Sequence, residues 1–400
     1  MSTDRDAGPL AGLVVMDLSR ILAGPTCTQV LGDLGATVWK IENPATGGDD
    51  TRAWGPPFAP GADGAATDLS AYFMAANRNK RSVAADLGDP DDRATLARLA
   101  ARADVVIENF KPGGLARHGL DADTLCARHP GLIYCSISGF GQSGPHRDKP
   151  GYDLMAQGFG GIMSLTGPVE GPPSKVGVGI SDVMCGMYAT VGILAALRHR
   201  DRTGEGQHID LALVDTQMAW LVNEGVNFLT SGDVPERRGN AHPNIVPYDV
   251  FAAADGHVIL AVGNDAQFAR FCDFLGRGDL AEDARFATNP ARLAHRDALL
   301  PLVRTALAAL PRTAIIEGLE ARGVPVGPVH DVAQALGSEQ AQARGAVVEM
   351  ARPDAPPVRL LGNPLRFSRT PVRYERAPPA FGADTAALKE ALGAPEDSGG

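Results

Sequence analysis

LVVMDLSRILAGPTCTQVLGDLGATVWKIE, residues 13–42, is the stretch whose pattern decides the fold. Residues 13–18 form a short apolar run suited to a parallel strand buried on both faces. Residues 19–25, SRILAGP, interrupt it, residues 26–34 can form a helix, and residues 37–42, TVWKIE, return as a second strand. This is a β-α-β opening, and Glu42 closes the second strand as an acidic residue does in nucleotide-binding folds. The signature G-x-G-x-x-G is missing, because Gly24 stands alone in the first turn. A nicotinamide cofactor is therefore not expected.

The same alternation continues outward. Residues 47–66 are rich in Gly, Pro and Asp and read as a surface loop. The basic cluster Arg78, Lys80 and Arg81 leads into a strand over residues 81–87, a helix follows over 90–102, and a strand over 104–108. The loop Asn109-Phe110-Lys111-Pro112-Gly113-Gly114 follows that strand, and another strand at 132–138 closes on Gly139-Phe140-Gly141. Strands alternating with helices imply an α/β fold with a mostly parallel sheet, which binds its ligands at the carboxyl ends of the strands. Further on, the pattern predicts a helix at 182–200, a strand at 207–213 and a long helix at 212–229. The glycines and alanines at 186, 189, 192 and 196 imply close packing of the first of these helices.

Composition shifts beyond a polar break at 231–239. A hairpin over 248–262 turns at Asp255-Gly256, and helices follow near 266–275 and 295–310. The expected organisation is a large Rossmann-like domain over residues 1–224, a smaller α+β domain over 225–330, and a C-terminal return to the large domain over 331–400, with strands at 345–350 and 358–361.

The chain of 400 residues carries a net charge of −10 with pI near 5.4. That balance argues against non-specific nucleic-acid binding and against an anionic membrane surface. Any phosphate-bearing ligand must be met by local basic residues. The five cysteines are scattered and form no C-x-x-C pair, and the nine histidines form no ligand-spaced cluster. Neither a metal site nor a disulfide frame is expected. The first residues carry no signal-peptide pattern, and no apolar run approaches the length of a membrane span, so the expected compartment is the cytoplasm.

Residues 151–179, GYDLMAQGFGGIMSLTGPVEGPPSKVGVG, set Asp153 and Glu170 among glycines, and Asp182 follows three residues later. Glycine lets a backbone approach a ligand closely. A carboxylate held among backbone N–H groups has the parts for covalent acyl chemistry, a nucleophile and donors for an oxyanion. The plainer reading is that Gly and Pro mark turns, solvated by the acidic residues.

Taken together, LAGLVVMDLSRILAGPTCTQVLGDLGATVWKIENP, NRNKRSVAADL, ADVVIENFKPGGLARHGL, SGFGQSGP, GYDLMAQ, TGPVEGPP, GQHIDLALVD, GNAHPNIVPYDVF and NPLRFSRTP occur here in one order. In that order they resemble class III CoA-transferases of the CaiB/BaiF type, from about residue 9 to residue 392. The resemblance implies a Rossmann-like large domain built from both chain ends, a smaller middle domain, and two chains interlocked as a homodimer. It implies transfer of CoA from an acyl-CoA donor, succinyl-CoA among the candidates, to a free carboxylic acid. In that chemistry an enzyme carboxylate attacks the thioester and is held as a mixed anhydride, which conserves the activation of the thioester. Acyl-CoA is then a substrate, and no tightly bound cofactor is implied.

Carried onto this chain, the family motif T-G-x-x-D-G-P-P places the nucleophile on Glu170, with Asp182 and then Asp153 as alternatives. Glutamate carries its carboxylate about one bond, ~1.5 Å, further out than aspartate. For CoA the matching positions are Leu22, Ala23, Ala85, Asp86, Leu87, Gly88, Asn109, Phe110, Lys111, Arg117, Ser138, Gly139 and Phe140. Lys111 and Arg117 are suited to phosphates, Lys80 and Arg81 can assist, and Asn43 stands where some members carry a basic residue. A 2-methylacyl-CoA racemase branch is similar too. Its G-H-D motif is Gly151-Tyr152-Asp153 here, so its histidine is absent and only Asp182 matches. A non-catalytic CoA-binding homologue is the third reading. The glycine-tetrad loop of the formyl/oxalate enzymes is not evident, since Arg238-Gly239-Asn240-Ala241-His242-Pro243 stands in the middle domain. That leaves dicarboxylates such as succinate, or an aromatic or branched acid.

Overall fold

The computed structural model describes residues 8–393. Six strands, β1 (Val14–Asp17), β2 (Thr37–Glu42), β3 (Lys80–Ala84), β4 (Val105–Glu108), β5 (Ile133–Ser138) and β6 (Gln207–Ala212), form one sheet. Every neighbouring pair in it is parallel, and the order is β3-β2-β1-β4-β5-β6. This is the strand order of dinucleotide-binding folds, and its direction reverses between β1 and β4, where such sheets open a crevice for ligands.

The apolar runs arise because both faces of the sheet are covered. Val15, Val38, Ile107, Ile133 and Cys135 face helices α1 (Ala23–Asp33) and α5 (Ile180–Thr203). Met16, Trp39, Val83, Val106 and Tyr134 face α2 (Pro90–Ala100), α3 (Ala122–Arg128) and a C-terminal helix, Thr385–Leu392. The small residues of α5 do what their spacing implied: a Cβ on Gly186 would fall 2.5 Å from the carbonyl oxygen of Ala23. Among the described residues α5 alone is long and apolar enough, by length and composition, to cross a membrane, contrary to the expectation that no run approaches that length. Half of its most apolar window is buried inside the fold, against the sheet and α1.

The chain divides into two compact units. One runs through Met163, resumes over Lys175–Val234, and takes in the chain from Gln340 onward; the other comprises Ser164–Ser174 and Pro235–Glu339. The break into the smaller unit therefore falls at 235 and the return at 340, rather than at 225 and 331, and a short segment around Glu170 belongs with the smaller unit. The long helix expected at 212–229 is two helices, α6 (Leu213–Ala219) and α7 (Val222–Ser231), broken where Val222 takes φ 42. The smaller unit has its own core around Phe251, Leu260, Phe268, Phe271, Leu299 and Leu307. Its three-stranded sheet is antiparallel and includes the hairpin Tyr248–Ala253 and Gly256–Ala261.

The surface loop expected at 47–66 is not solvated throughout. Asp49, Thr51 and Arg52 are buried, and residues 58–60 and 66–70 pair as a short hairpin. Composition reports average hydration and does not show that these charges have partners in the adjoining strands.

Candidate active site

The turn after β1 is built on buried charge. Lys40, in the middle of β2, and Asp49 have side chains with no exposure and pair at 2.8 Å. Asp17, the last residue of β1, and Lys80, the first of β3, are equally buried and meet at 3.2 Å. A buried charge without such a partner costs several kcal/mol. Burial pushes the Asp49 carboxyl up, but Lys40 and the hydrogen bonds from Thr51 outweigh it and hold the group down at about 2. Burial pulls the Lys80 ammonium down further than Asp17 restores it, to about 8.

These groups hold the backbone of the turn. Ser19 donates its N–H to Asp17 Oδ1 at 2.9 Å, and Lys40 Nζ donates to the Ser19 carbonyl at 3.0 Å. Ile21 donates its N–H to Asp49 at 3.2 Å. Ile21 has φ 71, a conformation that costs a β-branched residue roughly 1–3 kcal/mol and persists only where its surroundings impose it.

Most of the residues matched to CoA lie at the carboxyl ends of four strands of the sheet. Leu22 and Ala23 open α1 after β1, residues 85–88 follow β3, residues 109–111 follow β4, and Ser138–Phe140 end β5. Asn109 does not offer a free side chain. Its Oδ1 accepts the Arg20 N–H at 3.0 Å and its Nδ2 donates to the Arg20 carbonyl at 2.7 Å, which ties the β4 loop to the β1 turn across the crevice. Phe110 donates its N–H to Glu108 at 2.7 Å. Burial pushes the Glu108 carboxyl up to about 7, despite hydrogen bonds from Ser136 and Phe110. Asp86 accepts the Gly88 N–H at 2.7 Å, and Arg93 donates to the carbonyls of Leu87 and Gly88. Lys111 and Arg117 are exposed.

Lys80 is not available to a phosphate, since it is spent on Asp17, Asn77 and the Pro25 carbonyl. Arg81 lies over the Trp39 ring. Glu42, expected at a nucleotide's edge, is instead held by Arg52 through two bonds of 2.8 and 2.7 Å and by Ser82 at 2.6 Å. Asn43 caps the following turn by accepting the Ala45 N–H.

Gly139 and Gly151 touch backbone to backbone, for a Cβ on either would fall within 2.4 Å of the other. That contact brings the GYD segment back to the carboxyl edge, where it opens α4 (Asp153–Phe159). The Asp153 carboxylate accepts the Ser181 N–H at 2.8 Å, the Asp182 N–H at 3.3 Å and the Gln157 amide at 2.7 Å. It therefore caps α5, whose first turn carries Asp182. Asp182 is 8% exposed, and burial, then the neighbouring Asp153 charge, raises its carboxyl to about 7. Leu22 reaches the same place: its Cδ2 lies 3.2 Å from where a Cβ on Gly179 would stand. Burial, then the charges of Asp182, Asp153 and Asp49, raises the half-buried Tyr72 hydroxyl.

Glu170 has different surroundings. It is exposed and belongs to the smaller unit. There Arg237 binds the neighbouring carbonyls of Pro168 and Gly171. Lys40, Asp49, Glu108 and Arg93 were not singled out from the sequence. Only Lys40 carried a signal, as a charge in the middle of a strand buried on both faces.

A buried carboxylate, raised by its surroundings, thus stands at the start of α5 with the Leu22 turn of a doubly wound α/β sheet close by. The family model of CoA-transferase family III matches residues 10–385. The chain is 49% identical over 381 residues to a succinate–glutarate CoA-transferase of Agrobacterium fabrum, covering 95% of this chain and 94% of that one. It is 40% identical over 391 residues to an acetyl-CoA:oxalate CoA-transferase of Acetobacter aceti, with 97% of each covered. A crystal structure of a CaiB/BaiF family protein from Brucella suis superposes with a TM-score of 0.85 at 46% identity, covering 97% of this chain and 100% of that one. The chain belongs to CoA-transferase family III, and it is a CoA-transferase.

Proposed function

We propose that the enzyme moves CoA from succinyl-CoA to a free dicarboxylate of the glutarate class, with Asp182 as the nucleophile. The observation that carries this reading is the Asp182 carboxyl, buried, poised near neutrality and set beside the Leu22 turn. The acceptor class follows the relative at 49% identity in preference to the one at 40%.

One Asp182 carboxylate oxygen attacks the thioester carbonyl, the C–S bond breaks, and CoA leaves as a thiolate. The aspartyl–succinyl anhydride retains the activation of the thioester. The thiolate then attacks the aspartyl carbonyl and expels succinate, which carries off the bridging oxygen. The acceptor carboxylate attacks the resulting aspartyl thioester, and the thiolate released closes the cycle on the acceptor's carbonyl, freeing Asp182. N–H groups of the Gly-rich segment around Gly179 are suited to the oxyanions, and exclusion of water protects the anhydride. Acyl-CoA lies along the carboxyl edge, with Lys111 and Arg117 on its phosphates, and the site needs no tightly bound cofactor.

The assembly we propose is a homodimer of interlocked chains in the cytoplasm. Helix α7 has no buried residue, and Trp220, Val222, Val226, Phe228 and Leu229 are exposed around it, Leu229 by 81%. An apolar face of this kind marks an interaction surface. Sedimentation at nanomolar concentration should find no compact monomer.

The test of the chemistry is trapping. Incubation with succinyl-CoA and hydroxylamine, followed by peptide mass spectrometry, should place a hydroxamate on residue 182 and none on residue 170. A hydroxamate on Glu170, or steady hydrolysis that ignores glutarate, overturns the assignment. An acceptor panel including oxalate then names the acid.

A further inference from the structure

Five backbone groups of the Ser19–Ile21 turn are held by side chains from four separate places in the chain. Asp17 at the end of β1 takes the Ser19 N–H, and Lys40 of β2 takes the Ser19 carbonyl. Asn109 beyond β4 takes both the N–H and the carbonyl of Arg20. Asp49 takes the N–H of Ile21, the residue with φ 71. Asp49 is itself fixed, by Lys40 at 2.8 Å and by the N–H and hydroxyl of Thr51 at 3.0 and 2.8 Å. The Lys40 and Asp49 side chains have no exposure, so neither can touch a ligand. The next residue, Leu22, reaches Gly179, which caps the helix carrying Asp182.

We infer that Lys40, Asp49 and Asn109 are positioning residues of the transfer reaction: they preset the strained Ser19–Leu22 turn so that Leu22 and Ala23 receive acyl-CoA in register with Asp182. This rests on the reading that acyl-CoA lies along the carboxyl edge. Ligand-free preorganisation explains why a turn in an unfavourable conformation is gripped by buried charges. Freed from Asp49, Ile21 relaxes to negative φ and carries Leu22 with it. A misplacement of ~1 Å near a reacting centre can cost on the order of a hundredfold.

Asp49→Asn is the first variant, being isosteric and still able to accept one N–H. Its KM for succinyl-CoA should rise roughly tenfold, while the glutarate KM and the midpoint of the pH profile stay in place. Hydrogen exchange of the Arg20 and Ile21 amides in the ligand-free enzyme should quicken. Adding Ile21→Gly is the decisive step, because glycine adopts φ near 71 without strain. It should return most of the lost succinyl-CoA KM although it restores no hydrogen bond, whereas a general loss of stability would only worsen.

An Asp49→Asn/Ile21→Gly enzyme as impaired as Asp49→Asn alone, or amide exchange unchanged in Asp49→Asn, overturns the inference. Should Asp49→Asn not fold, Asn109→Ala serves: it removes two bonds without stranding a buried charge, and exchange at Arg20 and Ile21 must quicken before any CoA is added. If the unaltered enzyme transfers no CoA, the functional reading falls, while the exchange measurement still decides whether the clamp exists.

Discussion

Asp182→Asn should inactivate the enzyme and stabilise it at the same time, by an amount set by pH. The carboxyl stands at about 7 in the folded chain against 3.8 for the ordinary group, with burial the larger cause and the Asp153 charge the second. Between those two values the native state therefore holds more protons at this site than the unfolded state. The sign follows: stability falls as pH rises from about 4 to about 7, and levels off above. At about 1.4 kcal/mol for each pH unit, the whole displacement amounts to about 4 kcal/mol. Asparagine is neutral at every pH and escapes that cost.

The assay is a pair of melting curves, unaltered enzyme and Asp182→Asn, taken at intervals from pH 4.5 to 8.5. The variant's advantage should be small at the acid end, grow through pH 5–7, and become constant above, reaching several degrees. Differencing at each pH removes the contribution of every other titrating group. In parallel, kcat/KM of the unaltered enzyme should climb about tenfold per pH unit below pH 7 and flatten above it, since only the ionised carboxylate attacks. A gap in melting temperature that does not change with pH, or an asparagine variant less stable at pH 8, would refute the reasoning.

Asp153→Asn keeps an acceptor for the Ser181 N–H but removes the adjacent charge; the acid limb of the pH–rate profile should move to lower pH and, burial being the larger cause, remain above the ordinary carboxylate range. Glu170→Gln should retain transfer at near the unaltered kcat, measured with succinyl-CoA and glutarate. Lys80→Met leaves Asp17 buried without its partner and should cost about 3–5 kcal/mol in thermal or denaturant stability. Leu229→Glu places a charge in the apolar face of α7 and should weaken the proposed dimer, seen as a concentration-dependent sedimentation coefficient.

The fold was legible because it depends on features the chain writes locally. Strands buried on both faces must be apolar throughout, so β2 falls on residues 37–42 as read, and β1, β4 and β5 within a residue of their expected ends. The direction of each crossover then follows from a parallel sheet. The charges beneath the β1 turn were not legible, since Asp49 and Arg52 look like loop residues until Lys40 and Glu42 are seen to be their partners. Pairing is a property of what lies across the fold, and only the lone lysine in VWKIE hinted at it.

The proposed catalytic carboxylate shows the same limit more sharply. Glu170 stands in the Gly-rich stretch and Asp182 twelve residues on, just past its end, and local composition alone does not separate them. The fold does, because the chain passes into the smaller unit at Ser164 and returns at Lys175. Glu170 is left exposed, whereas Asp182 enters α5 under the Asp153 cap with Leu22 at hand. A nucleophile for acyl transfer needs to shed water and lie beside the thioester, and both conditions are tertiary. Motif spacing therefore finds the neighbourhood, and burial is what favours Asp182 over Glu170 as the proposed nucleophile.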